Sequence, residues 1–95
     1  MDENIELMDD YDGQIKVADT VGRKDVIIHF KAPTKTLKDY GGFRYGKAIK
    51  YQPRKGLLFI KVNGFGRLFK VDRQHCIDAF IGPQGDRDKV RVIWP

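Results

Sequence analysis

This chain has little of what enzymatic and metal chemistry most often uses. It holds one cysteine, Cys76, and two histidines, His29 and His75, among 95 residues. A single thiol closes no internal disulfide, so packing and hydrogen bonds must hold the fold, and a reducing, cytoplasmic setting is expected. CxxC and HxxxH spacings are missing, and with them the ligand sets of structural zinc sites. His75 and Cys76 are sequence neighbours. On a helix they would project about 100 degrees apart, too far round to serve each other as base and nucleophile. Glutamate is confined to Glu3 and Glu6, and Asp86 and Asp88 in "GDRDK" read as a solvated turn, so paired carboxylates for acid–base or Mg²⁺ work are also lacking. "NGFGRL" carries glycines without the G-x-G-x-x-G spacing of a phosphate cradle. The expectation is a protein that is not an enzyme and takes no metal or cofactor.

Long apolar runs are absent as well. None approaches the roughly 20 residues needed to cross a bilayer. The opening "MDENIELMDD" is acidic where a signal peptide would be basic and then apolar. No membrane association is expected.

What the chain does have is basic charge, unevenly spread. The formal net charge is +5, but residues 1–12 contribute −6 through Asp2, Glu3, Glu6, Asp9, Asp10 and Asp12, leaving +11 on the remainder. Between Lys31 and Arg73 only Asp39 and Asp72 oppose twelve basic residues. Such a field favours polyanions.

Residues 1–12 show no sustained period and read as an acidic N-terminal arm; residues 13–95 read as one small domain. Alternation in Ile15 and Val17, then in Val26, Ile28 and Phe30, predicts two half-buried strands joined as a hairpin through "TVGRKD". "KAPTKTLKDYGG" predicts a long connection. Phe43, Tyr45, Ile49 and Tyr51 fall on one side of the next strand, read as its apolar face, and Arg44, Gly46, Ala48 and Lys50 on the other. "QPRKG" predicts a turn into "LLFIKV". Asn63-Gly64 predicts a type I′ turn from Leu57–Val62 into Phe65–Val71. In "DRQHCIDAFIG" the spacing of Cys76, Ile77, Phe80 and Ile81, with Asp72 as cap and Gly82-Pro83 as stop, predicts a helix. "KVRVIW" predicts a closing strand with Val90, Val92 and Trp94 inward. The expected fold is mainly β (α+β): a small twisted sheet or SH3/OB-like barrel of about six strands, with one short helix near residues 72–81.

The stretch "YGGFRYGKAIKYQPRKG", Tyr40 to Gly56, interleaves five basic residues with four aromatics and four glycines and has no carboxylate. Lysine and arginine neutralise phosphates and release counterions, while aromatic faces stack on unpaired bases. Arg44, Lys47, Lys50, Arg54 and Lys55, with Lys61, Arg67, Lys70 and Arg73 on the strands expected beside them and Tyr40 as a ring, are the candidate nucleic-acid contacts. Gly41, Gly42 and Gly46 are read as allowing close approach of a ligand to the backbone. DNA or RNA is the expected partner. The alternative is a protein-interaction module, such as a phage-encoded inhibitor of a host complex, with Phe65, Leu68 and Phe69 as its apolar patch. A homodimer through an unpaired edge strand is a further possibility.

Two resemblances bear on this reading. "KGLLFIKV" is similar to the RRM octapeptide at Lys55, Gly56, Phe59 and Ile60, but it lacks aromatics at Leu57 and Val62, and the βαββαβ order of that family is not visible. Gly13, Ile15 and Val17, then Asp25, Val26, Ile28 and Phe30, then Phe43, Gly46 and Lys50, resemble the small β-rich modules of phage-encoded proteins that accompany HNH homing-endonuclease or other DNA-binding domains. "KAPTK" stands where such modules carry an acidic-Gly turn. The resemblance implies an accessory domain that contacts DNA and has no catalytic residues.

Overall fold

Seven strands account for most of residues 11–32 and 42–95, the part of the chain described in this computed structural model. They are β1 (Gly13–Lys16), β2 (Val26–Ala32), β3 (Gly42–Gln52), β4 (Leu57–Lys61), β5 (Phe69–Val71), β6 (Cys76–Ile81) and β7 (Asp88–Ile93). A single 3₁₀ turn, Val17–Thr20, follows β1. Most of the acidic arm, and most of the connection containing Pro33, Tyr40 and Gly41, lie outside the described residues. No helix among the described residues is long and apolar enough to cross a membrane.

The strands form one mixed sheet in the order β1-β7-β6-β2-β3-β4-β5, with β1 parallel to β7 and every other pair antiparallel. β2, β3, β4 and β5 are a meander, yet Asp72–His75 alone join β5 at one edge to β6, with three strands between them in the sheet. So short a link is possible only if the sheet rolls until β5 returns beside β2. The Lys31 N–H accordingly donates to the His75 carbonyl at 2.8 Å, and the Phe30 and Phe69 rings meet edge to face at 5.4 Å. β3 makes the roll by being long: its first half pairs with β2 and its second half with β4, and the ladder to β4 is irregular around Ile49. Ile28, Phe30, Leu58, Ile60, Phe69, Val71 and Ala79 fill the interior, with Val90 at 6% exposure closing it from β7. Val92 and Trp94 pack against that core as expected.

Several expectations are corrected. β1 does not pair with β2; Gly13 to Lys16 run beside Val90 to Ile93, and the turn after β1 separates the two elements of the supposed hairpin. The expected helix near residues 72–81 is a turn followed by strand β6. Asp72 does cap: its carboxylate accepts from the His75 N–H at 3.1 Å, and its carbonyl accepts from the Cys76 N–H at 3.1 Å. One turn is all that forms. β6 lies between β2 and β7, where the ladders satisfy its backbone, whereas an isolated helix of this length is marginal. Its apolar residues mimic a helical period because Ala79 is covered by the core and Phe80 by other rings, while an irregularity opposite His29 and Phe30 leaves Ile77 unpaired in the ladder and exposed.

Asn63-Gly64 does form a turn, closed by the Phe65 N–H on the Val62 carbonyl at 3.1 Å. It is not type I′, since Gly64 has φ 90° and Asn63 has no positive φ. The strand after it starts only at Phe69. The largest correction concerns β3. Gly46 and Ala48 face the core, and Phe43 and Tyr45 are 62% and 55% exposed. A Cβ on Gly46 would lie 2.5 Å from the Lys61 carbonyl oxygen and 2.6 Å from Ile60 Cγ2, so its small size serves the crossing of β3 over β4 and not the approach of a ligand.

Candidate functional site

Alternation along each strand decides what reaches the outer face of the rolled sheet. On β2 the inward residues are Val26, Ile28 and Phe30, which turns Ile27, His29 and Lys31 outward. The register then sets His29 between Asp78 on β6 and Tyr45 on β3. The His29 Nδ1–H donates to the Asp78 carboxylate at 3.1 Å, and the imidazole lies flat on the Tyr45 ring with centroids 4.6 Å apart. Phe43 is 5.8 Å from His29, and Phe80 is 6.1 Å from Tyr45, so four rings form one cluster. Asp78 is only 4% exposed. The histidine supplies this buried carboxyl group with a hydrogen-bond partner beneath the surface.

Cations surround this cluster. Lys31 is opposite Phe43, and Lys89 is opposite Phe80. Lys47 is opposite Lys61, with the Lys47 ammonium donating to the Lys24 carbonyl. Two ladder pairs further along, Lys50, Phe59 and Lys70 form a row across β3, β4 and β5. The two ammonium groups sit 5.6 and 5.9 Å from the centre of the Phe59 ring, in cation–π range. At the opposite edge Tyr11 takes Lys89 at 5.0 Å and Arg91 at 4.9 Å. The outer face therefore alternates rings and cations from β7 to β5.

Of the residues expected from sequence, Lys47, Lys50, Lys61 and Lys70 come together on this face. Arg44 does not: it lies opposite Phe30 on the inner side, with its guanidinium 5.7 Å from the Phe65 ring and donating to the Phe43 carbonyl at 3.0 Å. The separation of Arg44 from Lys50 follows from the irregularity at Ile49, which moves Lys50 to the outer side. Arg54 and Lys55 are exposed on the Pro53–Gly56 turn, Arg67 is exposed before β5, and Arg73 lies beside a separate cleft lined by Tyr51 and Trp94. Tyr40 lies outside the described residues. In the expected apolar patch Phe69 is buried and Phe65 packs edge-on against it at 5.2 Å, so only Leu68 is exposed.

Sequence reasoning missed His29, Asp78, Phe80, Phe43 and Tyr45. His29 and Lys31 were legible as the polar side of β2; Asp78 and Phe80 were hidden by the helical reading of β6.

The remaining titratable groups give little chemistry. Burial pushes the Cys76 thiol up to about 12, which leaves it protonated and unreactive at neutral pH. The hydrogen bond from His75 holds the Asp72 carboxyl below its usual range, and the bidentate Arg23 guanidinium does the same for Asp25. Among the described residues no three His, Cys, Asp or Glu side chains gather as a metal site. Comparison with known protein families, with curated proteins and with solved structures finds no match for this chain.

Proposed function

We propose that this domain is a non-catalytic nucleic-acid-binding module that captures DNA or RNA on the outer face of its sheet. The observation that carries the reading is the Lys50–Phe59–Lys70 row beside the Lys47–Lys61 pair, on the face that exposes Phe43 and Tyr45. Ammonium groups supply attraction to phosphate with little sequence preference, and counterion release makes that attraction dependent on salt. A phage or mobile-element accessory role is the setting implied by the resemblance of residues 13–51.

The test is fluorescence anisotropy with labelled DNA and RNA from about 50 to 300 mM salt, comparing the wild type with a Lys50→Glu/Lys61→Glu/Lys70→Glu variant. If about six cations meet phosphates, the log–log slope is about −5 on a duplex and −4 on a single strand. The charge-reversed variant binds at least about 30-fold more weakly at the low-salt end, since three attractions become repulsions. Absence of binding at low salt, or an unaffected variant, defeats the proposal.

Exposed Phe43, Tyr45 and Ile49 favour a second reading, a surface for a protein partner such as a host complex inhibited by a phage product. Under it, the same oligonucleotides fail to bind and Phe43→Ala abolishes capture of the partner.

A further inference from the structure

The outer face is indented on both sides of one side chain. Tyr45 and Ile27 line two clefts. The first, of about 330 Å³, runs toward Phe80 and the loop between β6 and β7, where Asp86 and Arg87 line it. The second, of about 410 Å³, runs the other way, toward Ile49, Lys61 and Asn63. In the strand order β6-β2-β3-β4 the first cleft lies on the β6 side of Tyr45 and the second on the β4 side. Both are at the small end of ligand-sized cavities, which run from roughly 300 to 1,000 Å³. Both are open to solvent and have room for a flat heterocycle.

Tyr45 is built as a platform. His29 covers one face of its ring at 4.6 Å and 9°, and Asp78 anchors the imidazole, so the tyrosine plane is fixed. Tyr45 as a whole is nonetheless 55% exposed, although His29 lies on one face of its ring and Phe80 is tilted beside it at 6.1 Å. Phe43 offers a second, still more exposed ring on the same strand and face. A duplex keeps the faces of its bases stacked inside and presents mainly phosphate to a protein surface. Fixed, open rings flanked by clefts gain nothing from such a partner, whereas unpaired bases stack on them whatever their sequence.

We infer that the ligand is single-stranded nucleic acid, with one base stacking on Tyr45 from the second cleft, on the side that His29 leaves open, and a neighbouring base reaching the first cleft past the edge of the ring. Lys47 and Lys61 border the second cleft and meet the backbone there, while Asp86 and Arg87 offer an acceptor and a donor fork to a base edge in the first. This rests on the nucleic-acid reading above and narrows it to strands with accessible bases.

The experiment uses the full chain with oligo-dT, oligo-rU and a mixed duplex, each about 15 nucleotides or base pairs long, within the span that small stacking domains cover. Wild type, Tyr45→Ala, Tyr45→Phe and Phe43→Ala are compared at fixed salt, with circular dichroism confirming that each is folded. Single strands bind at least about 10-fold tighter than duplex; Tyr45→Ala weakens them about 10- to 100-fold and leaves the duplex and the salt slope unchanged; Tyr45→Phe keeps the ring and the affinity. A preference for oligo-rU over oligo-dT identifies RNA as the source, and the reverse identifies DNA. Equal affinity for duplex and single strands, or folded Tyr45→Ala and Phe43→Ala proteins that bind like wild type, overturns the inference. If the Lys50→Glu/Lys61→Glu/Lys70→Glu variant still loses binding in that case, the nucleic-acid reading survives without it. If no oligonucleotide binds, both fall.

Discussion

The ring of Tyr45 rests on the imidazole of His29, 4.6 Å away and within 9° of parallel, and that imidazole donates to the buried carboxylate of Asp78. Three strands contribute one residue each, so the arrangement exists only when β6, β2 and β3 are in register. A surface ring is thereby given a fixed plane by a polar pair below it.

This pair makes a stability prediction. His29→Phe keeps a ring under Tyr45 but leaves the Asp78 carboxylate without its donor, and an unpaired buried acceptor costs about 1 to 3 kcal/mol or more when charged. His29→Phe/Asp78→Leu removes both partners and recovers most of that loss. Urea denaturation read by circular dichroism gives the two differences. A single variant as stable as wild type would show that water, and not His29, satisfies Asp78.

Gly46 makes a second prediction, from packing alone. The added methyl of Gly46→Ala would sit 2.5 Å from the Lys61 carbonyl oxygen and 2.6 Å from Ile60 Cγ2, and the backbone atom cannot swing away. A loss of at least about 2 kcal/mol is expected, as for other overpacked sites. Gly66→Ala is the control, with nothing within 4 Å and no positive φ, and it changes stability by less than about 0.5 kcal/mol. Equal effects from the two would mean that β3 and β4 part easily at their crossing.

The Cys76 thiol predicts both a reactivity and a pH dependence. Part-buried and held up to about 12 chiefly by that burial, it reacts slowly with a thiol reagent at pH 8 in the folded chain, so labelling accelerates with added urea. In the unfolded chain the thiol ionises near about 8.5. Between that value and about 12 the unfolded state therefore binds fewer protons than the folded state, and Cys76 lowers stability as pH rises. Cys76→Ala removes this slope. Rapid labelling without denaturant would contradict the burial.

The acidic segment predicts an effect on binding. Removing residues 1–10 takes away Asp2, Glu3, Glu6, Asp9 and Asp10 and raises the formal charge from +5 to +10. At about 50 mM salt the shortened chain should bind oligonucleotides several-fold more tightly, with the gap closing at about 300 mM as screening shortens the reach of each charge. Anisotropy titrations at the two salt concentrations make the comparison, and equal affinity at low salt counts against any electrostatic role for the segment.

Local signals were reliable where local chemistry decides. Gln52 to Gly56 turns as its Pro and Gly require, with the Lys55 N–H on the Gln52 carbonyl at 3.2 Å, and Val90 alternates into the core. Asp72 caps a turn, as its side chain allows, but whether the chain then continued as helix or strand depended on β2 and β7 lying ready to pair with it. The candidate site was half legible. Lysines 47, 50, 61 and 70 could be named from charge, but alternation sets Lys50 on the other side of β3 from Lys47 and only the irregularity at Ile49 brings the two together, whereas His29, Asp78 and Phe80 join the site only through a register between segments far apart in the chain.

From its residues alone this chain is mainly β, basic outside its acidic start, and poor in catalytic and metal-binding side chains, because composition, alternation and turn chemistry are properties of short stretches. Which side of β3 faces inward was a tertiary decision. Alternation divides Phe43 and Tyr45 from Gly46 and Ala48 without saying which pair is buried, and hydrophobicity favours the wrong one. The rolled sheet brings Ile60 and the Lys61 backbone so close to β3 that only the small residues fit. The rings are thereby left outside, among the lysines.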